Sequence, residues 1–263
     1  MQVCCSMKLC PERGRRNLVT RRDHTFNGSS IYWYSTGFDL LGRPTNAVDS
    51  ISISRTYLYN RCSELAAAQI GTNSYGYAYD TIGNRMSDTF NGMSRNYAAN
   101  CLNQYSAVNR TIDQSEQSNN FTYDADGNLV RDDRFAYSYD AENRMISARP
   151  ITPVEGELAE VNAYDHKHRR VMKRIERFDG DGWQTTETHT FVYDGCNIIL
   201  ERIEFADGTT RTVECFWGND LSGTEQGAGG VGGLVAVSID GVFYFPCYDH
   251  NGNIVCYVSE SGA

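Results

Sequence analysis

The chain has 263 residues, 40% of them hydrophobic, and a net charge of −9, so it is long enough to bury a sizeable core. No apolar run approaches about 18 residues, which argues against a membrane span, and no signal-peptide pattern follows the first basic residue. Residues 1–22 carry six Lys or Arg against one Glu, while the remainder carries 18 against 32, a net charge of −14. This acidic body argues against nucleic acid as the main partner.

The beginning of the chain differs from the rest. Residues 1–30 contain no repeat and are expected to form an irregular, basic N-terminal segment. Residues 31–263 are expected to form one region of many short strands joined by tight turns, because the chain has 17 Tyr and 24 Gly but only five Pro. Within that region, residues 64–68 (Glu-Leu-Ala-Ala-Ala) are the one short helix candidate.

The second half is predicted to be a meander. Residues 150–160 break the pattern with two Pro and are expected to form a loop. Strands are predicted at residues 169–178, 183–193, 198–205 and 209–217, each ending at a turn. Residues 222–233 are Gly-rich and are expected to be a loop that needs backbone freedom or close approach. A phosphate-binding loop would need a Gly-Lys-Ser/Thr ending or a following helix, and a strand is predicted at residues 234–239.

A short motif recurs seven times. It consists of an aromatic residue, an Asp and, three residues after the Asp, a Gly, Asn or His. Weaker copies begin at Tyr59, where Asn60 and Ser63 take the Asp and Gly places, and near Tyr97. The seven strong copies comprise Phe38, Asp39 and Gly42; Tyr79, Asp80 and Gly83; Tyr123, Asp124 and Gly127; Tyr139, Asp140 and Asn143; Tyr164, Asp165 and His168; Tyr193, Asp194 and Asn197; and Tyr248, Asp249 and Gly252.

The third position after the Asp indicates a backbone requirement. Gly adopts positive φ without cost, and Asn and His are enriched there among other residues. The Asp suits the first place of a type I turn, where its carboxylate accepts backbone N–H groups. A type I turn followed by a left-handed residue is a common hairpin connection. Each copy therefore predicts strand, turn, strand, and the chain is predicted to be all-β, built from repeated antiparallel hairpins.

The repeated side chains allow two chemical interpretations. Exposed Tyr rings suit stacking on sugars, but aromatic residues also fit strands well, and sheet packing is favoured. A glycosidase needs two carboxylates that converge at a defined separation, and a repeated turn Asp does not single out two. We therefore expect no enzymatic activity and no catalytic residues.

No cofactor or metal ion is expected. His166 and His168 could present two imidazoles on one strand face, but His168 has a turn role and no third ligand is evident. The segment beginning at Asp124 is similar to a calcium loop, yet Phe135 stands where the closing Glu is needed. The nine cysteines form no Cys-x-x-Cys pair and are expected to be mostly free thiols or small apolar fillers.

The Tyr-Asp-x-x-Gly units from Phe38 to Ile254 resemble the RHS repeat family, also called YD repeats. The segment Trp217-Gly-Asn-Asp-Leu-Ser-Gly-Thr, followed by the Gly-rich stretch from Gln226 to Leu234, is similar to the stretch that leads into the RHS-associated core. The resemblance covers about residues 30–263. It implies a long sheet that curls spirally into a hollow shell, which in bacterial members encloses a toxic C-terminal domain.

The resemblance also implies what is absent here. Many members release their cargo by self-cleavage at an Asp-Pro-containing site in the core, and this sequence contains no Asp-Pro. We therefore expect a fragment, without a complete core, cargo domain or self-cleaving activity. Its expected function is a shell segment that encapsulates a toxin or effector, its partner being that cargo or the remainder of its own polypeptide.

The alternative function is a carbohydrate-binding or adhesive surface module, whose partners would be cell-surface glycans. For both functions we expect a secreted or cell-surface location. Because no signal peptide is evident, the expected export route is non-classical.

Overall fold

The computed structural model describes residues 7–14, 18–26, 28–112 and 115–261. In this part of the chain all regular structure is β-strand, so the prediction of an all-β fold of antiparallel hairpins is confirmed. The strands form an eleven-stranded and a twelve-stranded sheet, and in each sheet the spatial order follows the sequence order. Two compact units are formed, one by residues 1–103, 108–118 and 244–263, the other by residues 104–107 and 119–243.

The first sheet begins within the segment that was expected to be irregular. β1 pairs with β2 from Met7 to Arg13, and β2 pairs with β3. The prediction of an irregular N-terminal segment is therefore wrong for these residues; residues 1–6, 15–17 and 27 lie outside the described part. The strands are β1 Met7–Arg13, β2 Val19–Phe26, β3 Ser29–Phe38, β4 Pro44–Asp49, β5 Ser54–Tyr59, β6 Leu65–Ile70, β7 Asn73–Tyr79, β8 Arg85–Phe90, β9 Met93–Ala99, β10 Tyr105–Ile112 and β11 Ser115–Asn120.

The second sheet contains the predicted meander. The four strands predicted between residues 169 and 217 correspond to β17–β20. The loop predicted at residues 150–160 is shorter, since only residues 151–157 lie between β15 and β16. The strands are β12 Thr122–Tyr123, β13 Leu129–Arg131, β14 Phe135–Tyr139, β15 Met145–Pro150, β16 Leu158–Tyr164, β17 Arg170–Phe178, β18 Trp183–Asp194, β19 Asn197–Phe205, β20 Thr210–Trp217, β21 Leu234–Ile239, β22 Val242–Tyr248 and β23 Ile254–Ser259.

The helix candidate at residues 64–68 is wrong, because these residues lead into and form strand β6. Ala68 lies directly between Tyr57 of β5 and Tyr75 of β7, and Ala67 lies between Leu58 and Gly76. Directly opposed residues in antiparallel strands share a face of the sheet. A small side chain thus fits between two large rings, and this cross-strand packing overrides the helical preference of the Ala run.

The residues directly opposite Ala68 and Ala67 on the adjacent strands also define the two faces of the first sheet. Tyr57, Ala68, Tyr75, Phe90 and Met93 form one row across β5–β9. We call the side of the sheet that carries this row the tyrosine face. The opposite face carries Leu58, Ala67 and Gly76, and Leu58 is 67% exposed there.

The first unit has a hydrophobic core made by strands that are distant in sequence. Its buried members are Tyr32, Tyr34, Ala47, Cys247 and Val258. Next to them, the backbone N–H of Tyr248 donates to His24 Nε2 at 3.0 Å. The first unit is therefore held together by contacts between β2–β4 and the β22–β23 hairpin.

Candidate functional site

The repeated turn is the feature that carries the predicted site residues. At Asp80, one carboxylate oxygen accepts the backbone N–H groups of Ile82 at 3.0 Å and Asn84 at 2.8 Å, and the Asp80 carbonyl accepts the N–H of Gly83 at 3.3 Å. The residue three after the Asp has positive φ in six of the seven strong copies: Gly42 (83°), Gly83 (91°), Gly127 (86°), Asn143 (59°), His168 (60°) and Gly252 (81°).

The fourth residue after the Asp completes the turn, and sequence reasoning assigned it no role. Its side chain donates to the second carboxylate oxygen of the Asp. The sequence does contain a sign of this role, because the residue is Arg or Asn in all six of these copies. The N···O distances are 2.7 Å for Arg43 to Asp39, 2.9 Å for Asn84 to Asp80, 3.0 Å for Asn128 to Asp124, 2.7 Å for Arg144 to Asp140, 2.8 Å for Arg169 to Asp165 and 2.9 Å for Asn253 to Asp249.

The weak copy at Tyr59 uses the same geometry with donor and acceptor exchanged. Asn60 Oδ1 accepts the backbone N–H groups of Cys62 and Glu64, and Asn60 Nδ2 donates to Glu64 Oε2 at 2.6 Å. Ser63 has a φ of 67°. The copy near Tyr97 also forms, since Leu102 N–H donates to Asn100 Oδ1 at 2.9 Å and Asn103 has a φ of 60°.

The predicted turn at Asp194 is different, and the assignment of Asn197 to the left-handed position is wrong. Asn197 is the first residue of β19 and pairs with Asp194, while Gly195 takes the positive φ of 57°. The fourth residue after the Asp is Ile198, which has no side-chain donor for the carboxylate. Gln226 of the Gly-rich loop contacts this turn, donating to the Asp194 carbonyl at 2.9 Å.

The Gly-rich loop at residues 222–233 is organised by one buried carboxylate. Asp220 is 6% exposed; one of its oxygens accepts from the Ser222 N–H and hydroxyl, and the other accepts the N–H groups of Ala228 at 2.6 Å and Gly230 at 3.1 Å. A Cβ on Gly230 would collide with the Asn197 side chain. The glycines therefore permit close approach to the Asp194 turn.

The aromatic residue of the motif connects successive hairpins. The hydroxyl of Tyr139 donates to the carbonyl of Leu129, the first strand residue after the preceding turn. Trp217 plays the equivalent part with its indole N–H, which donates to Ile198 at 2.7 Å. The hydroxyl bonds are Tyr79 to Leu65 (3.0 Å), Tyr123 to Tyr105 (2.9 Å), Tyr139 to Leu129 (3.0 Å), Tyr164 to Met145 (2.9 Å) and Tyr193 to Arg170 (2.8 Å).

Hydrogen bonds also connect the turns of successive hairpins, which lie at the ends of the strands. The side chain four residues after the Asp also reaches the next turn. In the first unit Arg43 donates to Ser63 and Asn84 to Asn103. In the second unit Asn128 donates to Asn143, Arg144 to the carbonyl of Asp165, and Arg169 to the carbonyl of Gly195. The guanidinium groups of Arg43, Arg144 and Arg169 also lie over the next motif ring, Tyr59, Tyr164 and Tyr193.

These hydrogen bonds lower the pKa of five turn carboxyls, those of Asp39, Asp80, Asp124, Asp140 and Asp165. At Asp165 desolvation acts upward, but donation from the Arg169 side chain and from the N–H groups of Arg169 and Lys167 outweighs it and lowers the pKa to about 2. The side-chain amide of Asn128 is the main cause of the lowered pKa of Asp124. Each carboxylate is thus stabilised as a structural anion within its own turn.

A concave pocket of about 390 Å³ lies on strands β7–β10 of the first unit. It receives aromatic and aliphatic side chains of the tyrosine face and three guanidinium groups. Met93 is 61% and Phe90 37% exposed at this pocket. The aromatic, aliphatic and charged side chains that line the pocket are Tyr75, Tyr77, Phe90, Met93, Arg85, Arg95, Arg110 and Asp88.

The charge of this pocket is positive. Asp88 is 3% exposed; its two oxygens accept from Arg95 at 2.8 Å each, and Tyr97 donates to it at 2.6 Å. Desolvation raises the pKa of Asp88, but the hydrogen bonds from Arg95 and Tyr97 outweigh it, so the pKa is lowered. One ionised carboxylate therefore faces three guanidinium groups among the lining residues, in a chain of net charge −9.

Metal binding has no support in the part of the chain that is described. No three His, Cys, Asp or Glu side chains lie where they could share an ion there. The Asp124 carboxylate, similar in sequence to a calcium ligand, accepts from its own turn. Nor does this part of the chain contain a helix able to cross a bilayer. The absence of enzymatic activity stays a prediction.

Known proteins share this fold. No family model matches the chain. The tRNA3(Ser)-specific nuclease WapA of Bacillus spizizenii is 26% identical over 192 residues, which is 71% of this chain and 7% of that protein. A crystal structure of TcdB2-TccC3-TEV matches 97% of this chain with a TM-score of 0.61 at 12% identity. The Tc holotoxin pore of Photorhabdus luminescens matches the same share with a TM-score of 0.62 at 10% identity.

The structural matches show which fold the chain has and how much of each larger protein it corresponds to. The chain has the all-β fold found in these two solved structures, and it spans 15% of the length of each of them.

Proposed function

We propose that the chain is a structural shell segment of an RHS-type protein, and that its tyrosine face lines a space holding a C-terminal toxin or effector of the same polypeptide. The observation that carries the proposal is the chain-long match to TccC3-containing toxin structures, which extends over 97% of the chain. The repeated turns support it, because every motif Asp in the six regular copies accepts hydrogen bonds from the backbone of its own turn and so has a structural role.

The names of the similar proteins are consistent with a toxic activity in one part of such a protein and a structural role in another. WapA is called a tRNA nuclease and TccC3 is part of a holotoxin pore. The chain spans 7% of WapA and 15% of the holotoxin chain. In this proposal the toxic activity therefore belongs to a cargo domain, and the chain forms part of the shell around it. Secretion or surface display by a non-classical route is proposed with it.

The tyrosine face is the proposed cargo-facing side. It combines large rings at Tyr75, Tyr77 and Phe90 with the cationic pocket around Arg95 and Arg110. Aromatic and Arg side chains are the residue types enriched at protein interfaces. The excess of positive charge there favours contact with acidic or polar cargo surface and disfavours basic segments.

The proposal is tested by crosslinking in the polypeptide that its gene encodes. A photoreactive phenylalanine derivative is placed at Tyr75 on the tyrosine face and, as the matched control, at the exposed Leu58 on the opposite face. Crosslinks from Tyr75 to the cargo, with none from Leu58, are expected. The cargo should also resist a protease that digests it when it is expressed alone.

Two results would contradict the proposal. Equal crosslinking from both faces would remove the assignment of the tyrosine face. An electron microscopy map with a compact globule and no curled sheet would remove the shell itself.

The carbohydrate-binding or adhesive alternative stays a prediction. Five motif Tyr hydroxyls already donate to backbone carbonyls, so they are engaged in holding strands together. A glycan array with no binding above background would exclude this alternative.

A further inference from the structure

Strands β22 and β23 bring two cysteines directly opposite each other. Cys247 and Cys256 are partners in the antiparallel register. Opposed residues in such a pair have Cα atoms about 4.5–5.5 Å apart, within the range of about 4.4–6.8 Å that disulfides span. The Cys247 thiol is hydrogen-bonded to Cys256. The backbone thus already has a spacing that a disulfide can bridge.

The other described cysteines have no such arrangement. Cys215 lies opposite Val237 in the β20–β21 pair. Cys62, Cys101 and Cys196 are exposed and lie in turns. Cys10 lies opposite Asp23 in the β1–β2 pair. Of the seven cysteines in the described part of the chain, Cys247 and Cys256 form the pair that the register places side by side.

The surroundings of the pair differ for its two members. Cys247 has no exposed surface and belongs to the hydrophobic core with Tyr32, Tyr34 and Val258, while Cys256 is half-buried at the edge of that core. Burial raises the pKa of Cys247 to about 12 and also raises the pKa of Cys256. Since the thiolate is the reacting form, Cys256 is the sulfur that a dissolved oxidant meets first, and reaction is slow at neutral pH.

We propose that Cys247 and Cys256 form a cross-strand disulfide when the protein meets a soluble disulfide such as oxidised glutathione. The Cys256 thiolate attacks one sulfur of oxidised glutathione, and one glutathione leaves as a thiolate that takes a proton. The Cys247 thiolate then attacks the Cys256 sulfur of the mixed disulfide, and the second glutathione leaves in the same way. Two protein thiols are oxidised and one glutathione disulfide is reduced to two glutathione thiols.

The bond would clamp a hairpin that holds the first unit together. It would close a ring of ten residues from Cys247 to Cys256 around the turn at Asp249. The hairpin contributes Cys247 and Val258 to the core. Oxidation outside a reducing cell interior would therefore fix the register of the two strands that present Cys247 and Val258 to the core.

The test maps the nine cysteines after equilibration of the whole protein with oxidised glutathione. Free thiols are alkylated and the protein is cleaved before Asp249, which separates the two cysteines into different peptides. The expected results are loss of alkylation at Cys247 and Cys256, a Cys247–Cys256 linked peptide that reductant separates, and a Tm raised by roughly 5 °C.

Two variants control the experiment. Cys256→Ser should abolish the link and leave Cys247 an unmodified thiol, because no oxidant reaches it in the folded protein. Cys215→Ser should leave the link unchanged. The proposal is overturned if Cys247 and Cys256 of the wild-type protein both remain thiols or glutathione adducts, or if the link joins other cysteines. The wild-type map decides the matter even if Cys256→Ser fails to fold.

Discussion

The side-chain amide of Asn60 donates to Glu64 at 2.6 Å, in the direction opposite to the six Asp-based turns, where the fourth residue donates to the Asp. The turn therefore requires one acceptor and one donor in these two places and tolerates either order. What the first position must retain is an oxygen for the two backbone N–H groups, which both Asn and Asp supply.

Asn60→Asp should destabilise the protein, because it places a second carboxylate against that of Glu64. Adding Glu64→Asn should restore the pattern seen at Asp80 and Asn84. We expect a loss of roughly 0.5–1.5 kcal/mol for the single change and recovery of most of it in the double variant. Urea unfolding of the four proteins of this cycle measures it, and strictly additive effects would show that the two side chains are not coupled.

Gly127→Val should lower the free energy of unfolding by roughly 1–3 kcal/mol, because a β-branched residue is forced to a φ of 86°. Gly182→Val is the matched control. Gly182 also lies in a hairpin turn, its φ is not positive, and no atom lies within 4 Å of a Cβ built there. Thermal unfolding compares the two, and equal Tm values would show that the left-handed backbone at residue 127 carries no constraint.

Tyr139→Phe should cost roughly 0.5–1.5 kcal/mol, because the Leu129 carbonyl loses a hydrogen-bond donor at 3.0 Å. Tyr75→Phe serves as the control, since its ring packs against Phe90 and its hydroxyl makes no hydrogen bond within the described part of the chain. Denaturant unfolding of both variants gives the difference. A loss as large for Tyr75→Phe would assign the effect to the ring environment and not to the inter-hairpin bond.

Acid should destabilise the fold, because it protonates the carboxylates of the repeated turns. The pKa values of Asp39, Asp80, Asp124, Asp140 and Asp165 are lowered in the folded protein, that of Asp165 to about 2. An unfolded Asp titrates near about 3.9, so this stabilisation is fully present above that pH and is lost as the pH falls toward the folded pKa. Tm measured from pH 7 to pH 2.5 should fall steeply below about pH 4.

Asp165→Asn gives the control for the acid effect. It should lower Tm at neutral pH and flatten the acid limb, because one of the contributing carboxylates is gone. An unchanged slope in this variant would assign the acid transition to other groups.

The parts of the fold that sequence could predict are those set by neighbouring residues. Gly, Asn or His at the third position after an Asp reports a local φ, and six of those positions are left-handed. Alternating aromatic residues report strands, and β17–β21 lie close to the predicted ranges. These signals depend on a few consecutive residues, so one sequence suffices to read them.

The features that sequence could not supply depend on distant strands. Asn197 was misassigned because the Gly-rich loop, around Gln226, determines how that turn packs. The Ala run in β6 forms a strand because Tyr57 and Tyr75 lie on either side of it. The cationic pocket likewise needs the register of four strands to bring Arg85, Arg95 and Arg110 to one place.

The inter-hairpin bond made by five motif Tyr residues has a consequence for how the number of repeats can change in such genes. The hydroxyl reaches the strand that follows the preceding turn and goes no further along the chain. Because the repeats of these five Tyr residues make the same bond to the hairpin before them, a hairpin duplicated or deleted among them creates a junction chemically like the existing ones. The length of the sheet can therefore vary during evolution in steps of one repeat, as in other proteins whose repeats contact only their neighbours.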